Sequence, residues 1–408
     1  MKKLGLTIVL CLVMAVSFGQ KKNVADALKI AKDVKGNIEE ARTKIKSALQ
    51  HPETKDDAKT WFTAGQIENY QFDRENTKQI LGQQPNDVVM YNALFEIFPY
   101  FQKAYELDQL PDAKGKVKPK YVKDMKSIMR ANYPYYINGG VYFFEKENYQ
   151  RAYDFFNQYV EAFESSLMKD GETANVPSDS SFIFANYYAA LMATSLDHKT
   201  TVSAFKRASK YDFHQNEMFQ GLVQAYQQEG DKENMEKTIL EALAIFPNDE
   251  FLLVTLVVNY IEAEKNDKAI DYILSAIKND PSNAQYYDIA GYIYENGFKD
   301  VAKAEECFIK SIEINSENPE SNSNLGRIYY NQGVEQLNLA NEIADVRKYN
   351  EERDKAKDLF RKALPFYEKA YELNSEMMDP KVALRSIYYN LDMGEKLEAL
   401  IKIMGDEE

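Results

Sequence analysis

The sequence has few of the residues that form disulfides, metal sites and irregular loops. Its 408 residues include 2 cysteines, 3 histidines, 12 prolines and 17 glycines. So little Pro and Gly excludes a collagen-like or linker-rich chain, and 45% apolar with 13% aromatic residues excludes intrinsic disorder. Basic residues are outnumbered, 50 Lys and Arg against 64 Asp and Glu, and the net charge of −14 argues against a nucleic-acid-binding protein. The length indicates about two or three domains, or an array of repeats.

Long apolar runs are also absent, apart from one near the start of the sequence. Lys2 and Lys3 precede an apolar run over Leu4–Val16, and small residues flank Phe18 just before Gln20. This pattern of positive, apolar and small residues is typical of a secretory signal peptide at residues 1–19. The apolar run is shorter than the roughly 20 residues that span a bilayer, which argues against a transmembrane helix. An uncleaved anchor is the alternative. We therefore expect an exported protein, located in the periplasm of a Gram-negative cell.

A 34-residue period runs through the middle of the sequence. Residues of one type recur at this spacing: Tyr226, Tyr260 and Tyr294; Leu222 and Leu256; Ala242 and Ala276; Pro247 and Pro281. Such a period predicts units of two helices whose apolar faces are buried only when neighbouring units stack. The prolines fall just past each second helix, where a helix cannot continue.

The motifs within this period resemble the tetratricopeptide-repeat (TPR) family, whose units read W-x2-L-G-x2-Y, then A-x3-F-x2-A, then P. Ala290-Gly291 and Tyr294 match the first motif, and Ala304 with Phe308 matches the second. The resemblance covers nearly all of residues 22–401 and is strongest over 216–330. It implies an all-α fold, a right-handed α-solenoid of about eight to nine TPR-like helix-turn-helix units. Small residues such as Gly140, Gly291 and Gly326 would lie where two helices approach closely.

Two features interrupt the regular frame. Residues 168–181 have turn composition, which predicts N-terminal TPR-like units over 20–167, a joint at 168–181 and a C-terminal solenoid over 182–408. The insertion Val334–Lys362 is charged and helix-forming, which predicts a lengthened pair of antiparallel helices. Pro99 and Pro365 fall at the same frame position, each in a predicted helix, which suggests a tolerated kink.

The sequence offers no constellation of residues for catalysis. His51, His198 and His214 are far apart, without the spacing of metal ligands, and there is no phosphate-binding glycine loop or nucleophile elbow. Acid pairs such as Glu305-Glu306 are interpreted as solvated helix faces, and Cys307 as a small buried hydrophobe. We therefore expect neither an enzyme nor a cofactor or metal.

The TPR resemblance implies instead a groove lined by the first helix of each unit. The family's groove positions, carried onto this sequence, select Gln220, Gln224, Gln227, Val258, Asp288, Tyr292, Glu295, Arg327 and Tyr330. Tyr292 and Arg327 are the expected anchors, since aromatic residues and Arg dominate binding hot spots. The alternative is that these side chains only solvate an inner face. No Asn stands where some TPR proteins grip a C-terminal carboxylate, which disfavours that specialisation.

A second candidate surface is rich in lysine. Residues 20–130 contain 20 Lys and Arg against 16 Asp and Glu, a net +4, whereas residues 131–408 are strongly acidic. The basic excess peaks at Lys114, Lys116, Lys118, Lys120, Lys123 and Lys126. This segment is either a solvated loop leading into a helix, or an electrostatic contact with an acidic partner or an anionic envelope component.

Together these observations predict a non-catalytic scaffold or adaptor of the cell envelope that binds proteins or peptides. We expect no nucleic-acid partner and no membrane-spanning segment, although an association with the envelope is compatible with the sequence. One alternative is a periplasmic peptide- or glycan-binding module of an uptake system, which an aromatic-rich groove would favour. The other is an enzyme whose site is not visible as a motif.

Overall fold

The structure is a computed structural model that describes residues 20–169 and 180–405. The described chain is helical and contains no β-strand. The helices are α1 (20–32), α2 (Ile38–Gln50), α3 (Ala58–Ile80), α4 (Asp87–Asp108), α5 (Val122–Glu145), α6 (Tyr149–Glu164), α7 (Ser180–Ala193), α8 (His198–Ala208), α9 (Gln215–Glu229), α10 (Lys232–Ile245), α11 (Glu250–Glu262), α12 (Asn266–Asn279), α13 (Ala284–Tyr292, continued by a π-helical turn Ile293–Gly297), α14 (Val301–Ile314), α15 (Pro319–Asn341), α16 (Val346–Leu373), α17 (Met378–Asn390) and α18 (Gly394–Gly405). The all-α class is confirmed.

Asp and Asn residues set the start of most helices. Their side-chain oxygens accept hydrogen bonds from backbone N–H groups of the first turn, which otherwise have no partner. Asn37 caps α2 in this way, and Asp249 caps α11. The other residues in this role are Asp57, Asn86, Asn148, Asp197, Asp231, Asn283, Asp300, Asn318 and Asp345.

The chain divides into two compact units, Met1–Glu229 and Gly230–Glu408. In the N-terminal unit, successive helices pack on one another in chain order, and aromatic residues fill much of the core. Phe101, Tyr136, Phe155 and Phe156 are buried there. Helices α1, α2 and α3 share a hydrophobic cluster that includes Ala27, Ile45 and Ile67.

The C-terminal unit likewise stacks its helices in chain order. Its core includes Tyr260, Phe308, Phe360 and Leu384, all nearly inaccessible to solvent. Helices α11–α12 and α13–α14 match the frame that the 34-residue period predicts, and each of these two pairs forms one helix-turn-helix unit. Within the two described ranges, no helix is both long and apolar enough to cross a bilayer.

Glycines mark the places where paired helices approach most closely. A Cβ atom added at Gly291 would lie 2.6 Å from the ring of Phe308, and one added at Gly140 would lie 2.6 Å from the ring of Phe156. A Cβ atom added at Gly326 would lie 3.0 Å from the ring of Tyr367. The predicted small-residue contacts are therefore confirmed at all three glycines.

The two predicted interruptions of the frame have different outcomes. The insertion Val334–Lys362 forms the ends of two long helices, α15 and α16, so the lengthened hairpin is confirmed. Pro99 and Pro365 lie inside α4 and α16, while the kink stays a prediction. Most of the predicted joint at 168–181, like the predicted signal peptide at 1–19, lies outside the described residues, so the predicted domain boundaries also stay predictions.

One hydrogen bond recurs along the C-terminal unit. A tyrosine of a first helix donates its hydroxyl to a glutamate on a second helix, in the pairs Tyr260–Glu236 (2.9 Å), Tyr329–Glu305 (2.7 Å) and Tyr388–Glu368 (3.0 Å). Burial and the carboxylate raise the pKa of each tyrosine. Each bond joins neighbouring helices, so it fixes their relative rotation.

Candidate binding surface

The predicted groove positions of α9 lie in the N-terminal unit. Gln224 and Gln227 are exposed, and Gln220 is half-buried. Exposure on one helix face agrees with the frame, because the opposite face of α9 buries Leu222 and Tyr226. These amides offer hydrogen-bond donors and acceptors to a ligand, and no charge.

In the C-terminal unit, the predicted anchor Arg327 is already engaged by its own chain. On α15, its guanidinium forms an ion pair with Glu295 of the adjoining first helix and donates to Asn324 at 3.1 Å. The Arg327 side chain is 30% exposed and that of Glu295 is 13% exposed. The structure brings these two predicted residues together as one largely neutralised pair, so both are less available to a ligand than their position in the sequence implies.

Asp288, another predicted groove residue, belongs to a buried polar network. Its Oδ2 atom accepts a 2.6 Å hydrogen bond from the Ser321 hydroxyl, which lies 3.0 Å from the Ser311 hydroxyl. Burial raises the pKa of Asp288 above its usual range. This carboxylate therefore connects α13, α14 and α15 inside the unit.

Of the remaining predicted positions, two stay exposed and one is packed. Tyr292 is 48% exposed and Val258 is 45% exposed. Tyr330 packs its ring against Phe360 and Tyr367, with ring centres 5.8 and 6.2 Å apart. The predicted groove of this unit therefore presents apolar surface at Val258 and Tyr292 more than the acidic surface that Asp288 and Glu295 suggested.

The lysine-rich segment is an exposed loop with an ordered internal structure. Asp112 accepts hydrogen bonds from the backbone N–H groups of Lys114 and Lys116 and lies 3.5 Å from the Lys118 ammonium. Asp108 accepts from the backbone N–H of Lys120 at 2.7 Å. Two carboxylates thus hold the turn, and the lysines between residues 114 and 120 are exposed.

The other two lysines of the segment lie on α5. Lys123 is exposed, and the Lys126 ammonium donates to the backbone carbonyl of Lys169 at 3.1 Å. Exposed lysines on an ordered loop are compatible with a solvated loop and with an anion-binding surface, so both interpretations of this segment stay predictions.

A pocket of about 620 Å³ lies in the N-terminal unit, at residues that the sequence did not single out. It is lined by Ile137 of α5, by Ser180, Ser181, Ile183 and Phe184 of α7, and by Asp212 and Phe213 of the loop before α9. Its volume lies within the range of roughly 300–1,000 Å³ that is usual for ligand pockets. Aliphatic and aromatic side chains form most of the wall, with one carboxylate.

An aromatic cluster supports one wall of this pocket. Tyr187 of α7 packs against Phe213 and His214, with ring centres 5.2 and 4.8 Å apart. The Tyr187 hydroxyl donates to the Glu217 carboxylate at 3.1 Å, and His214 Nδ1 lies 3.1 Å from the same carboxylate. Burial first, and then Glu217, raises the pKa of Tyr187 to about 12. Phe213 is thereby held beside the pocket although it is 39% exposed.

One residue of the pocket, Ile137, lies at a position that the repeat frame predicts for binding. Ile137 directly follows Tyr136, just as the predicted groove residue Gln220 directly follows Phe219. The frame therefore selects Ile137, although the sequence fits the frame less well outside residues 216–330. The density of aromatic residues at 182–188 and 211–213 was the other available signal.

Two kinds of chemistry find little support in the described residues. No group of three or more His, Cys, Asp or Glu side chains lies close enough together there to hold a metal ion. Cys307 is half-buried, and burial followed by nearby carboxylates raises the pKa of its thiol to about 11. A thiol with that pKa is protonated near neutral pH and is a poor nucleophile.

Comparisons with known proteins identify the repeat. Residues 217–249 match the family model of the tetratricopeptide repeat, which confirms the resemblance. No curated protein matches the chain.

Similar solved structures cover about half of this chain. They include a TPR repeats protein from Bacteroides fragilis NCTC 9343 (18% identity, 63% of this chain and 98% of that chain, TM-score 0.31). YrrB, a TPR protein with an unusual peptide-binding site, is 18% identical over 48% of this chain and 93% of its own, with a TM-score of 0.34. MamA from Desulfovibrio magneticus RS-1 is 15% identical over 44% of this chain and 96% of its own, with a TM-score of 0.31. At such scores we infer nothing about this chain from these likenesses.

Proposed function

We propose that this tetratricopeptide-repeat protein is a non-catalytic scaffold of the bacterial cell envelope, which holds a partner protein by a short extended segment. Stacked helical repeats present one face of each first helix, and such faces bind peptides and proteins. The observation that supports the proposal most directly is the pocket between Ile137, Phe184 and Phe213.

The composition of that pocket favours binding over chemistry. Its wall offers apolar area for side chains of a ligand, and Ser180 with Asp212 offers polar groups for orientation. Phe213 is both exposed and braced by Tyr187 and His214, so a partner meets a ring that is already in place. Rings held in this way lose little conformational entropy on binding.

Three surfaces compete for the partner, and one capture experiment separates them. The tagged chain is cross-linked in envelopes and compared with Phe213→Ala, with Tyr292→Ala/Arg327→Ala and with Lys118→Glu/Lys120→Glu. Phe298→Ala is the matched control, since Phe298 is 40% exposed and Phe213 is 39% exposed. Loss of the same cross-linked protein with Phe213→Ala alone supports the pocket. Loss only with the lysine reversals would assign binding to the basic loop, and loss only with the Tyr292/Arg327 pair would assign it to the predicted groove.

The location in the envelope is a separate part of the proposal. It is supported by the signal-peptide pattern over residues 1–19. Intact-mass analysis of the protein from a periplasmic extract should give a chain that begins at Gln20. Recovery of the soluble protein with Met1–Gly19 still attached would contradict export by this route.

An uptake module that binds glycans is the second candidate, because aromatic rings beside hydroxyl and carboxylate groups also suit sugars. Phe184, Phe213, Ser180 and Asp212 provide that combination. A thermal-shift panel of oligosaccharides and peptides distinguishes the two functions. Stabilisation by a sugar, reversed by Phe213→Ala, would favour the uptake module over the scaffold.

A further inference from the structure

We infer that the pocket recognises a basic residue, arginine or lysine, flanked by apolar residues in an extended peptide segment. This inference rests on the proposed function and names the ligand of the same pocket. The observations behind it are the charge of the pocket wall, the aromatic rings that line the pocket and a matching arrangement elsewhere in the N-terminal unit.

The charge of the wall is negative. Asp212 is the one charged residue among the described residues that line the pocket, and its carboxylate forms no hydrogen bond or ion pair with another described residue. Glu217 adds a second carboxylate near the pocket, bonded to Tyr187 and beside His214. A basic side chain would pair with the Asp212 carboxylate, whereas an acidic or phosphorylated ligand would meet repulsion.

The aromatic rings suit the same ligand. Phe184 and Phe213 line the pocket, and their faces attract a cation through the ring quadrupole. The aliphatic stem of arginine or lysine would pack against Ile137 and Ile183 while its charged end reaches Asp212.

The N-terminal unit already contains this combination of ring, cation and carboxylate within its own chain. The guanidinium carbon of Arg151 lies 3.9 Å from the centre of the Phe95 ring and 5.2 Å from that of Phe155. Arg151 also lies 3.8 Å from the Asp154 carboxylate. The pocket presents the ring and the carboxylate of this arrangement and lacks only the cation.

The volume of the pocket sets a second requirement. At about 620 Å³ it is larger than one arginine side chain, which occupies on the order of 150–200 Å³, so neighbouring side chains of the ligand must enter as well. Because most of the wall is apolar, those neighbours should be apolar. Ser180, in the first turn of α7, also lines the pocket, and its hydroxyl would bond the main chain of the peptide.

The test uses three capped, fluorescently labelled octapeptides that differ only at the centre of a Leu-Xaa-Leu core. Xaa is arginine, its neutral isostere citrulline, or glutamate, and binding to the full chain is followed by anisotropy. We expect the arginine peptide to bind at least about fivefold more tightly than the citrulline peptide, and the glutamate peptide to bind most weakly. The preference for arginine over citrulline should shrink as salt is added.

Variants attribute the preference to the pocket. Asp212→Asn should abolish the difference between arginine and citrulline while it leaves citrulline binding unchanged. Asp271→Asn is the matched control, because Asp271 is an exposed aspartate without a bond to another described residue in the C-terminal unit. Asp212→Lys should reverse the order so that the glutamate peptide binds best, and circular dichroism checks that each variant is folded.

The outcomes separate this inference from the proposed function. Equal binding of the arginine and citrulline peptides, lost in Phe213→Ala, would overturn the basic-residue preference and leave a peptide site. An arginine preference that survives in Asp212→Asn would place the cation elsewhere and overturn the inference too. Absence of binding by all three peptides would overturn the inference and count against the pocket as a peptide site.

Discussion

Replacing Gly291 by alanine should loosen the packing of α13 on α14, although alanine is the better helix former. The added Cβ atom would lie 2.6 Å from Cε1 of Phe308, which is 0.8 Å inside the 3.4 Å limit of ordinary contact. Phe308 is fully buried between neighbouring helices, so its ring has no open space to enter. The two helices must therefore move apart, or the ring must leave its preferred rotamer.

The size of the effect follows from two opposing terms. Overpacking of a core costs about 1–3 kcal/mol, and alanine recovers about 0.5–1 kcal/mol of helix propensity relative to glycine. We expect a net loss of about 1–2 kcal/mol in the free energy of unfolding of the C-terminal unit. Gly394→Ala is the control, because nothing lies within 4 Å of a Cβ atom at that position. It should be neutral or slightly stabilising.

Chemical denaturation measures the stability, and hydrogen exchange of the peptides from α13 and α14 shows where it is lost. A second substitution, Phe308→Leu, removes ring atoms that the new Cβ meets. In that background Gly291→Ala should cost less than in the parent chain, a coupling that a double-mutant cycle measures. If Gly291→Ala leaves both the midpoint and the exchange rates unchanged, the helices do not pack as closely as the Gly291–Phe308 contact requires.

Three further predictions concern ionisable groups. Arg42→Met leaves the buried Glu68 carboxylate, to which Arg42 donates at 2.5 and 2.9 Å, without that partner. It should lower the free energy of unfolding of the N-terminal unit by about 3 kcal/mol in urea denaturation. Lys44→Met should cost far less, because the half-buried Lys44 lies 3.8 Å from the exposed carboxylate of Glu40. Burial and then Glu305 raise the pKa of Tyr329 to about 12. The stability that this hydrogen bond contributes is therefore complete below pH 10 and is lost as the pH rises through 12. In tyrosinate absorbance titrations Glu305→Gln should lower the pKa of Tyr329, and an unchanged curve would refute the role of Glu305. Cys307, whose thiol has a pKa raised to about 11 by burial, should react slowly with a disulfide reagent at pH 8 and quickly after denaturant is added; equal rates would show that the thiol is accessible.

Much of the fold could be predicted because residues that contact each other between helices recur at fixed spacing in the repeated sequence. Gly291 and Phe308 occupy motif positions of the two helices in one unit, and the structure places them in contact. The long α15–α16 pair was also predictable, since the insertion between Val334 and Lys362 retains helix-forming composition throughout. The 34-residue period and the helix-forming composition can both be read from the sequence, so these predictions require no knowledge of contacts between distant residues.

The binding surface was less predictable, because it depends on how side chains from different helices meet. The frame selected Arg327 and Glu295 separately, whereas the structure pairs them with each other. The pocket combines Ile137 with Phe184 and Phe213, and no spacing in the sequence states that these residues are neighbours. The sequence also placed the acidic Asp288 in the groove, whereas its carboxylate accepts a hydrogen bond from Ser321 inside the C-terminal unit.

The long α15–α16 hairpin has a consequence for the order in which the chain folds. Its two helices are joined by a connection of only four residues, 342–345, and they meet along their length through contacts such as Gly333 with Phe360 and Gln336 with Glu352. Contacts between residues close in sequence form at a low cost in loop-closure entropy and favour fast folding. The hairpin should therefore form early and template the neighbouring helices, so that pulse-labelled hydrogen exchange would show protection in α15 and α16 before it appears in α10 and α11.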